Sequence, residues 1–323
     1  VANFGHGPAY RKYAADHPDV ELTACCDTTE SNAVSFMAKF GFEKHYTDYR
    51  VMLDKESPDV VCLNVPVSQI ALLSREILQA GFPLLLEKPA GANLTETKIL
   101  KEISEKCGVA NMVAFNRRYM PLIQTFKNTI EKTIGLQGIA SIEYYLSRYR
   151  RLEDNFEITA IHGIDTVRFL TEAEYQSVQF QYRAFPDRGM NVMNIHLFAN
   201  LNNGVTATLN FYPLCGAVME RMVVNSSDHT FLIEIPVWDS VDLPGRIVVV
   251  EKNEVIKKIS LHDHRQDMED FQKYGFYGED AAFFDFLRGA EKPAPDISQV
   301  LGSAEIMECI RKKQNTYQTG SNV

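Results

Sequence analysis

Glu87 and Lys88 close a run of three leucines, Leu84-Leu85-Leu86, with Gly81 and Pro83 before it and Pro89 and Gly91 after it. Three apolar residues between turn formers read as a short strand buried on both faces, the kind found inside a parallel sheet. Such a strand delivers its last residues to the carboxyl edge, where open α/β sheets bind ligands. A lysine held there partly out of water loses ammonium basicity and can donate or accept a proton near neutrality. Taken alone, the pair fits equally well as two charges solvating a strand end. His162 is a second candidate, on the apolar-periodic stretch 158–170, where a lone histidine also fits as a satisfied core residue. His262-Asp263-His264 brings two imidazoles and a carboxylate together, but no further ligand stands at helical spacing. That triplet is expected in a solvated loop, and no metal site is predicted.

A third constellation opens the chain. Val1-Ala2-Asn3-Phe4 reads as a strand, Gly5-His6-Gly7-Pro8 as a glycine-rich turn, and Ala9 to about His17 as a helix. Val20–Cys26 then reads as a second strand ending at Asp27, 20 residues past Gly7. This is the dinucleotide-binding arrangement: Gly5 for the tight turn, Gly7 for backbone approach to a pyrophosphate, and the helix start facing the phosphates. Asp27 would accept from the adenosine ribose hydroxyls, which favours NAD, because a 2′-phosphate would meet a carboxylate. Thr28 and Thr29 beside it leave NADP open. The third glycine position holds Tyr10, a bulky residue where close packing is usual. On its own the glycine pair fits an ordinary turn; the strand, helix and acid in register carry the dinucleotide reading. The chain begins without Met inside this apolar run, so the first strand reads as clipped, and no signal-peptide pattern is present.

The elements that would position these groups alternate over the first 115 or so residues. Helices are expected at 30–40, 48–55, 68–80 and 94–107, and strands at 59–64, 84–86 and 109–115, which predicts a doubly wound parallel sheet. After Asn116 the texture changes. Helices at 122–134 and 158–170 flank a strand at 139–150, and strand-like runs follow near 177–185, 191–201, 204–212, 218–225, 229–236 and 246–260. Turn signals such as Asn202-Asn203-Gly204 point to antiparallel neighbours. Helices near 280–288 and 297–313 and a polar tail from Gln314 complete the chain. The expected architecture is α/β: an N-terminal Rossmann dinucleotide-binding domain, 1–117, and a C-terminal α+β domain with a large open, mostly antiparallel sheet, 118–323.

Composition narrows the partners. At 323 residues the chain is long for one core. A net charge of −9 argues against nucleic acid or an anionic membrane. No apolar run approaches the ~20 residues that span a bilayer. The six cysteines lack CxxC spacing and read as reduced thiols of a cytoplasmic protein.

These residues resemble the Gfo/Idh/MocA family of nicotinamide-dependent sugar and cyclitol oxidoreductases over nearly the whole chain. The resemblance rests on Gly5-x-Gly7, Asp27, Asp59 to Pro66, Gly81 leading into Glu87-Lys88-Pro89, Asn116-Arg117-Arg118-Tyr119-x-Pro121, Gly138-x-Ala-x-Ile142, His162-x-x-Asp165-x-x-Arg168, and the closing Phe283–Leu287, Pro293 and Asp296. It implies a catalytic Lys88 with a cis Lys88–Pro89 peptide, and His162 as the second acid/base group. It implies cofactor contacts from Gly5, His6, Gly7, Pro8, Asp27, Asn64, Pro66, Glu87, Lys88 and Asn116. Substrate contacts are expected from Lys88, Arg117, Tyr145, His162 and Asp165, the last as a neighbouring site or structural residue. The sequence departs from the pattern at Ile158, where many members carry an aspartate one helical turn before the histidine, and at Ile70, often histidine. The implied activity is NAD(P)-dependent hydride transfer to or from a hydroxyl or keto group of a polyol, in a homodimer or homotetramer joined through the C-terminal sheet. The alternative is a catalytically impaired dinucleotide-binding sensor or regulatory relative, motivated by Tyr10 and Ile158.

Overall fold

Alternating strands and helices build parallel sheet in the first part of the chain, in two pieces. The computed structural model describes residues 1–261 and 267–320. Its first strands are β1 (Ala24–Cys26), β2 (Lys44–Tyr46), β3 (Val61–Leu63), β4 (Leu84–Glu87) and β5 (Asn111–Ala114), all paired in parallel as β1-β2 and β3-β4-β5. The leucines of β4 are buried, as expected for a strand flanked on both edges. The helices are α1 (His6–Asp16), α2 (Glu30–Phe40), α3 (Tyr49–Glu56), α4 (Val67–Gln79), α5 (Leu94–Cys107) and α6 (Asn116–Tyr119). Local chemistry sets several ends. Asp48 accepts from the Arg50 N–H at 2.8 Å to start α3, and Asn93 accepts from the Glu96 N–H at 3.0 Å to start α5. Gly41, at φ 86°, closes α2 with a left-handed cap.

Two expectations are corrected here. Residues 1–4 form a turn rather than a strand: Phe4 and Gly5 N–H donate to the Val1 carbonyl, and α1 starts at His6, three residues early. The domain boundary also differs. The first unit is Val1–Tyr119 together with Glu269–Gln299, and the second is Met120–Met268 with Val300–Val323. The return segment completes the first core: Phe283, on the helix Phe276–Leu287, packs with Leu85, Met112 and Ala114. The Val113 N–H donates to Pro295 O at 2.9 Å, and the Ile297 N–H to Asn111 Oδ1 at 2.9 Å.

The second unit is organised by one nine-stranded sheet. Helix α7 (Pro121–Ile134), β6 (Ser141–Ser147) and α8 (Glu157–Thr171) lead into β7 (Tyr175–Ala184), β8 (Met193–Leu201), β9 (Thr206–Tyr212), β10 (Met219–Asn225), β11 (His229–Glu234), β12 (Arg246–Glu251), β13 (Glu254–Ser260) and β14 (Thr316–Gln318). Their order is β13-β12-β11-β10-β6-β9-β8-β7-β14, antiparallel except for β6 beside β9. The run expected at 246–260 is two strands, folded back at Lys252 and Asn253, both at positive φ, and the expected polar tail adds an edge strand. Helix α8 lies close on β6 and β9. A Cβ on Gly163 would stand 2.6 Å from the Tyr144 ring, so glycine is required for that approach. Tyr144 and Leu146 face α8 and are fully buried, while Glu143 and Tyr145 point to the opposite face.

Candidate active site

The end of β4 is where polar groups gather in the first unit. Glu87 Oε2 accepts from the Lys88 backbone N–H at 3.1 Å, and Glu87 Oε1 lies 2.9 Å from His6 Nε2. His6 Nδ1 meets the Asp280 carboxylate at 2.9 and 3.1 Å, and Glu279 Oε1 stands 3.9 Å from His6 Nε2. His6, Glu279 and Asp280 are buried to within 1%. Burial works against charge on His6, but Asp280 and Glu87 outweigh it and raise the imidazole pKa well above its ordinary value. Burial, reinforced by Asp280 and Glu87, pushes the Glu279 carboxyl well up against the opposing charges of His6 and Arg117. Among the described residues neither Glu279 oxygen has a hydrogen-bond partner. Lys88 itself is half-buried, and the Lys88–Pro89 peptide is cis.

The nucleotide-binding candidates divide. Asp27 follows β1 with a half-buried carboxylate that accepts from the Thr29 N–H at 2.8 Å and from Asn32 at 3.3 Å. Pro66 starts α4 on the surface. The Asn64 amide donates to the Tyr10 hydroxyl at 2.9 Å, and Tyr10 is buried beside His6 and Phe284. The glycine turn is corrected. Gly5 is the residue before α1, and His6, Gly7 and Pro8 are its first turn. A Cβ on Gly7 would meet the Phe40 ring at 2.5 Å, so Gly7 serves the close packing expected of the position that Tyr10 was assigned. The Gly5 and Gly7 amides donate to the Val1 and Ala2 carbonyls at 2.9 and 2.8 Å, and Pro8 has no N–H. At the start of α1 the Gly5 and Gly7 amides are thus already bonded within the chain. His6 is likewise turned inward, away from a cofactor role. Glu87 spends both oxygens on His6 and the Lys88 N–H. Asn116, 4% exposed, donates to Tyr274 O at 2.8 Å and accepts from the buried Arg117 at 3.2 Å.

In the second unit, His162 is 8% exposed on α8. Ile158, one turn earlier, is half-buried and supplies no carboxylate. Its neighbour Glu157 feels Arg311 and Glu308 instead, with burial raising its pKa. Asp165, expected as a neighbouring site or structural residue, is fully buried, accepts from Ser303 Oγ at 3.2 Å and lies 3.6 Å from Arg168. Tyr145 stands on the face of the sheet away from α8, beside Tyr212 at 5.1 Å and with Arg221, Met219 and Asn210 around a shallow depression. Sequence reasoning missed Glu279 and Asp280. The available signal was two adjacent acids in the otherwise apolar helix Phe276–Leu287. His262, Asp263 and His264 lie outside the described residues.

Parallel strands joined by helices, with an acid following β1, define a Rossmann-type dinucleotide-binding domain, here followed by a large-sheet domain. Residues 2–115 match the Gfo/Idh/MocA model, described as an oxidoreductase family with an NAD-binding Rossmann fold, and that stretch belongs to the family. D-apiose dehydrogenase from Paraburkholderia graminis is 27% identical over 167 residues, 48% of this chain and 44% of that protein. The chain spans about half or less of the length of the curated relatives it matches. An oxidoreductase domain protein from Kribbella flavida has a TM-score of 0.82 at 14% identity, covering 99% of this chain and 96% of the other. Levoglucosan dehydrogenase, solved with NADH and levoglucosan, has a TM-score of 0.81 at 16% identity, covering 98% and 96%. Both share the fold. Among the described residues no helix is long and apolar enough to cross a membrane.

Proposed function

We propose that the chain is an NAD(P)-dependent oxidoreductase transferring hydride to or from a hydroxyl or keto carbon of a sugar, cyclitol or related polyol. One observation carries the reading: Glu87-Lys88 leaves the carboxyl end of a buried parallel strand within the family's matched domain. The sugars named for D-apiose and levoglucosan dehydrogenases support the substrate class. When bound, the nicotinamide supplies or takes the hydride; NAD is the expected form because Asp27 follows β1. Lys88 hydrogen-bonds the reacting oxygen and moves its proton, and His162 is the second acid/base group. With Ile158 in place of a carboxylate, Lys88 carries more of that load. We further assign a cytoplasmic homodimer or homotetramer joined through the open face of the sheet, where Phe198 is 50% and Leu232 37% exposed.

The test is Lys88→Met, with turnover measured across a polyol panel on protein shown by circular dichroism to be folded. A loss of about 100-fold or more in kcat is expected of a general acid/base group; survival within a few fold overturns the assignment. A second reading, a dinucleotide-binding sensor without turnover, is favoured by Ile158 and by the occupied amides at the start of α1. Calorimetric titration with NAD(H) and NADP(H) separates them. Binding without turnover on the panel selects the sensor, and no binding of either overturns both.

A further inference from the structure

We propose that the buried cluster at the end of β4 binds one divalent first-row transition cation, held by His6 Nε2 and the Glu87 and Glu279 carboxylates, with Asp280 orienting the imidazole. The site goes beyond the redox reading and does not depend on it.

The geometry comes first. Glu87 Oε1 and Glu279 Oε1 stand 2.9 and 3.9 Å from His6 Nε2. Ligands at about 2.0–2.2 Å from one ion lie roughly 3–4 Å from each other, so each of these oxygens stands at a ligand-like separation from the imidazole. His6, Glu279 and Asp280 can each direct one ligand atom within 4.8 Å of the others. His6 Nδ1 faces Asp280 at 2.9 Å, the carboxylate–imidazole–metal arrangement in which an outer acid fixes the ring and raises its basicity. The three ligands come from separate elements: the start of α1, the end of β4 and the helix Phe276–Leu287.

The second, independent observation is Glu279. Its side chain is 1% exposed and, among the described residues, neither oxygen meets a donor. Buried carboxylates are ordinarily paired, hydrogen-bonded or metal-bound. The donor set selects the ion class. One imidazole with carboxylates and no thiol suits Zn²⁺, Mn²⁺, Fe²⁺ or Co²⁺, whereas Mg²⁺ and Ca²⁺ prefer all-oxygen shells. The competing state holds no ion: an imidazolium bonded to Asp280 and Glu87, with a proton on Glu279.

The experiment uses the full chain, tag-free and stripped with chelator. Mn²⁺ and Zn²⁺ are titrated separately by calorimetry, with bound metal counted by elemental analysis after dialysis; Mn²⁺ is included because the six free cysteines bind it poorly. One equivalent of either metal is expected for the wild type, with Glu279→Gln weakening it at least tenfold and His6→Gln abolishing it. Metal binding that persists unchanged in both variants sits elsewhere and overturns the proposal, as does failure of the wild type to bind either ion. If a variant misfolds, an anomalous-scattering map of metal-soaked wild-type crystals decides: a peak between His6 and Glu279 supports the site, and its absence overturns it.

Discussion

The two units bury charge in opposite ways. In the second, cations and anions are matched within the sheet and its helix layer. Arg148, 5% exposed, donates to the fully buried Glu220 at 2.6 Å and to Ser147 O at 3.0 Å, while the Tyr144 hydroxyl donates to the other Glu220 oxygen. Arg168 likewise bonds Glu174 at 2.7 Å and Ser303 at 2.9 Å beside Asp165. In the first unit, one imidazole is set among three carboxylates, and one of these meets no donor among the described residues. A charge neutralised where it stands is architecture. A buried carboxylate that meets no donor among the described residues, held beside other acids at the end of a parallel strand, has instead the composition of a ligand site. Breaking each arrangement should therefore give different results.

The largest effect is expected in the second unit. Glu220→Ala leaves the Arg148 guanidinium buried without its anion, and the Tyr144 hydroxyl without its acceptor. Removing one partner of a buried pair costs about 3–5 kcal/mol, because the remaining charge is uncompensated. A urea melt monitored by circular dichroism should show a clear fall in midpoint. A loss under about 1 kcal/mol would mean that water or a neighbour readily takes the place of Glu220.

That contrast was only partly legible in the sequence. Strands β7 to β11 follow from alternation, and β4 from its leucines, because burial on one or two faces writes itself directly into residue order. The cluster does not, since His6 and Asp280 are 274 residues apart and meet because the chain returns to the first unit at Glu269. The face that Tyr145 takes was legible only as a parity. Alternation separates it from Tyr144, but which face is covered depends on where α8 packs. Asp165 was open between a site and a structural role because helical phase alone does not say where its carboxylate turns; it turns to Ser303. Residues 1–4 carry no alternation long enough to tell a strand from a turn.

Thiol chemistry probes the two interiors with less disturbance. Burial pushes the Cys25 thiol in β1 up to about 11, with Cys26 and Asp27 adding, and the Cys309 thiol in the helix Leu301–Arg311 up to about 12. The thiolate is the reactive form, and a free cysteine titrates near pH 8.5. At pH 8 both should therefore be alkylated by iodoacetamide about 100-fold or more slowly than a free thiol. The rate should rise about tenfold per pH unit until each group titrates, Cys25 before Cys309. Peptide mapping by mass spectrometry reads both at once. Equal, fast labelling at pH 8 would show that one interior opens more readily than its packing implies.

The smallest expected effect is the most informative about the comparison. In metal-stripped protein, Glu279→Gln exchanges one unpartnered buried group for another of the same shape and removes an acid from an acid-rich cluster. No hydrogen bond is lost, because Glu279 makes none among the described residues. The stability change should lie within about 1 kcal/mol of zero, and in the stabilising direction if like-charge repulsion from Asp280 and Glu87 dominates. Glu220→Gln, the same chemical change in the second unit, keeps the shape but removes the charge that holds Arg148, and should cost at least 2 kcal/mol more. The pair of urea melts thus measures whether the two buried acids differ as their surroundings do. Equal losses would mean that Glu279 is paired in solution and that the first unit is as internally balanced as the second.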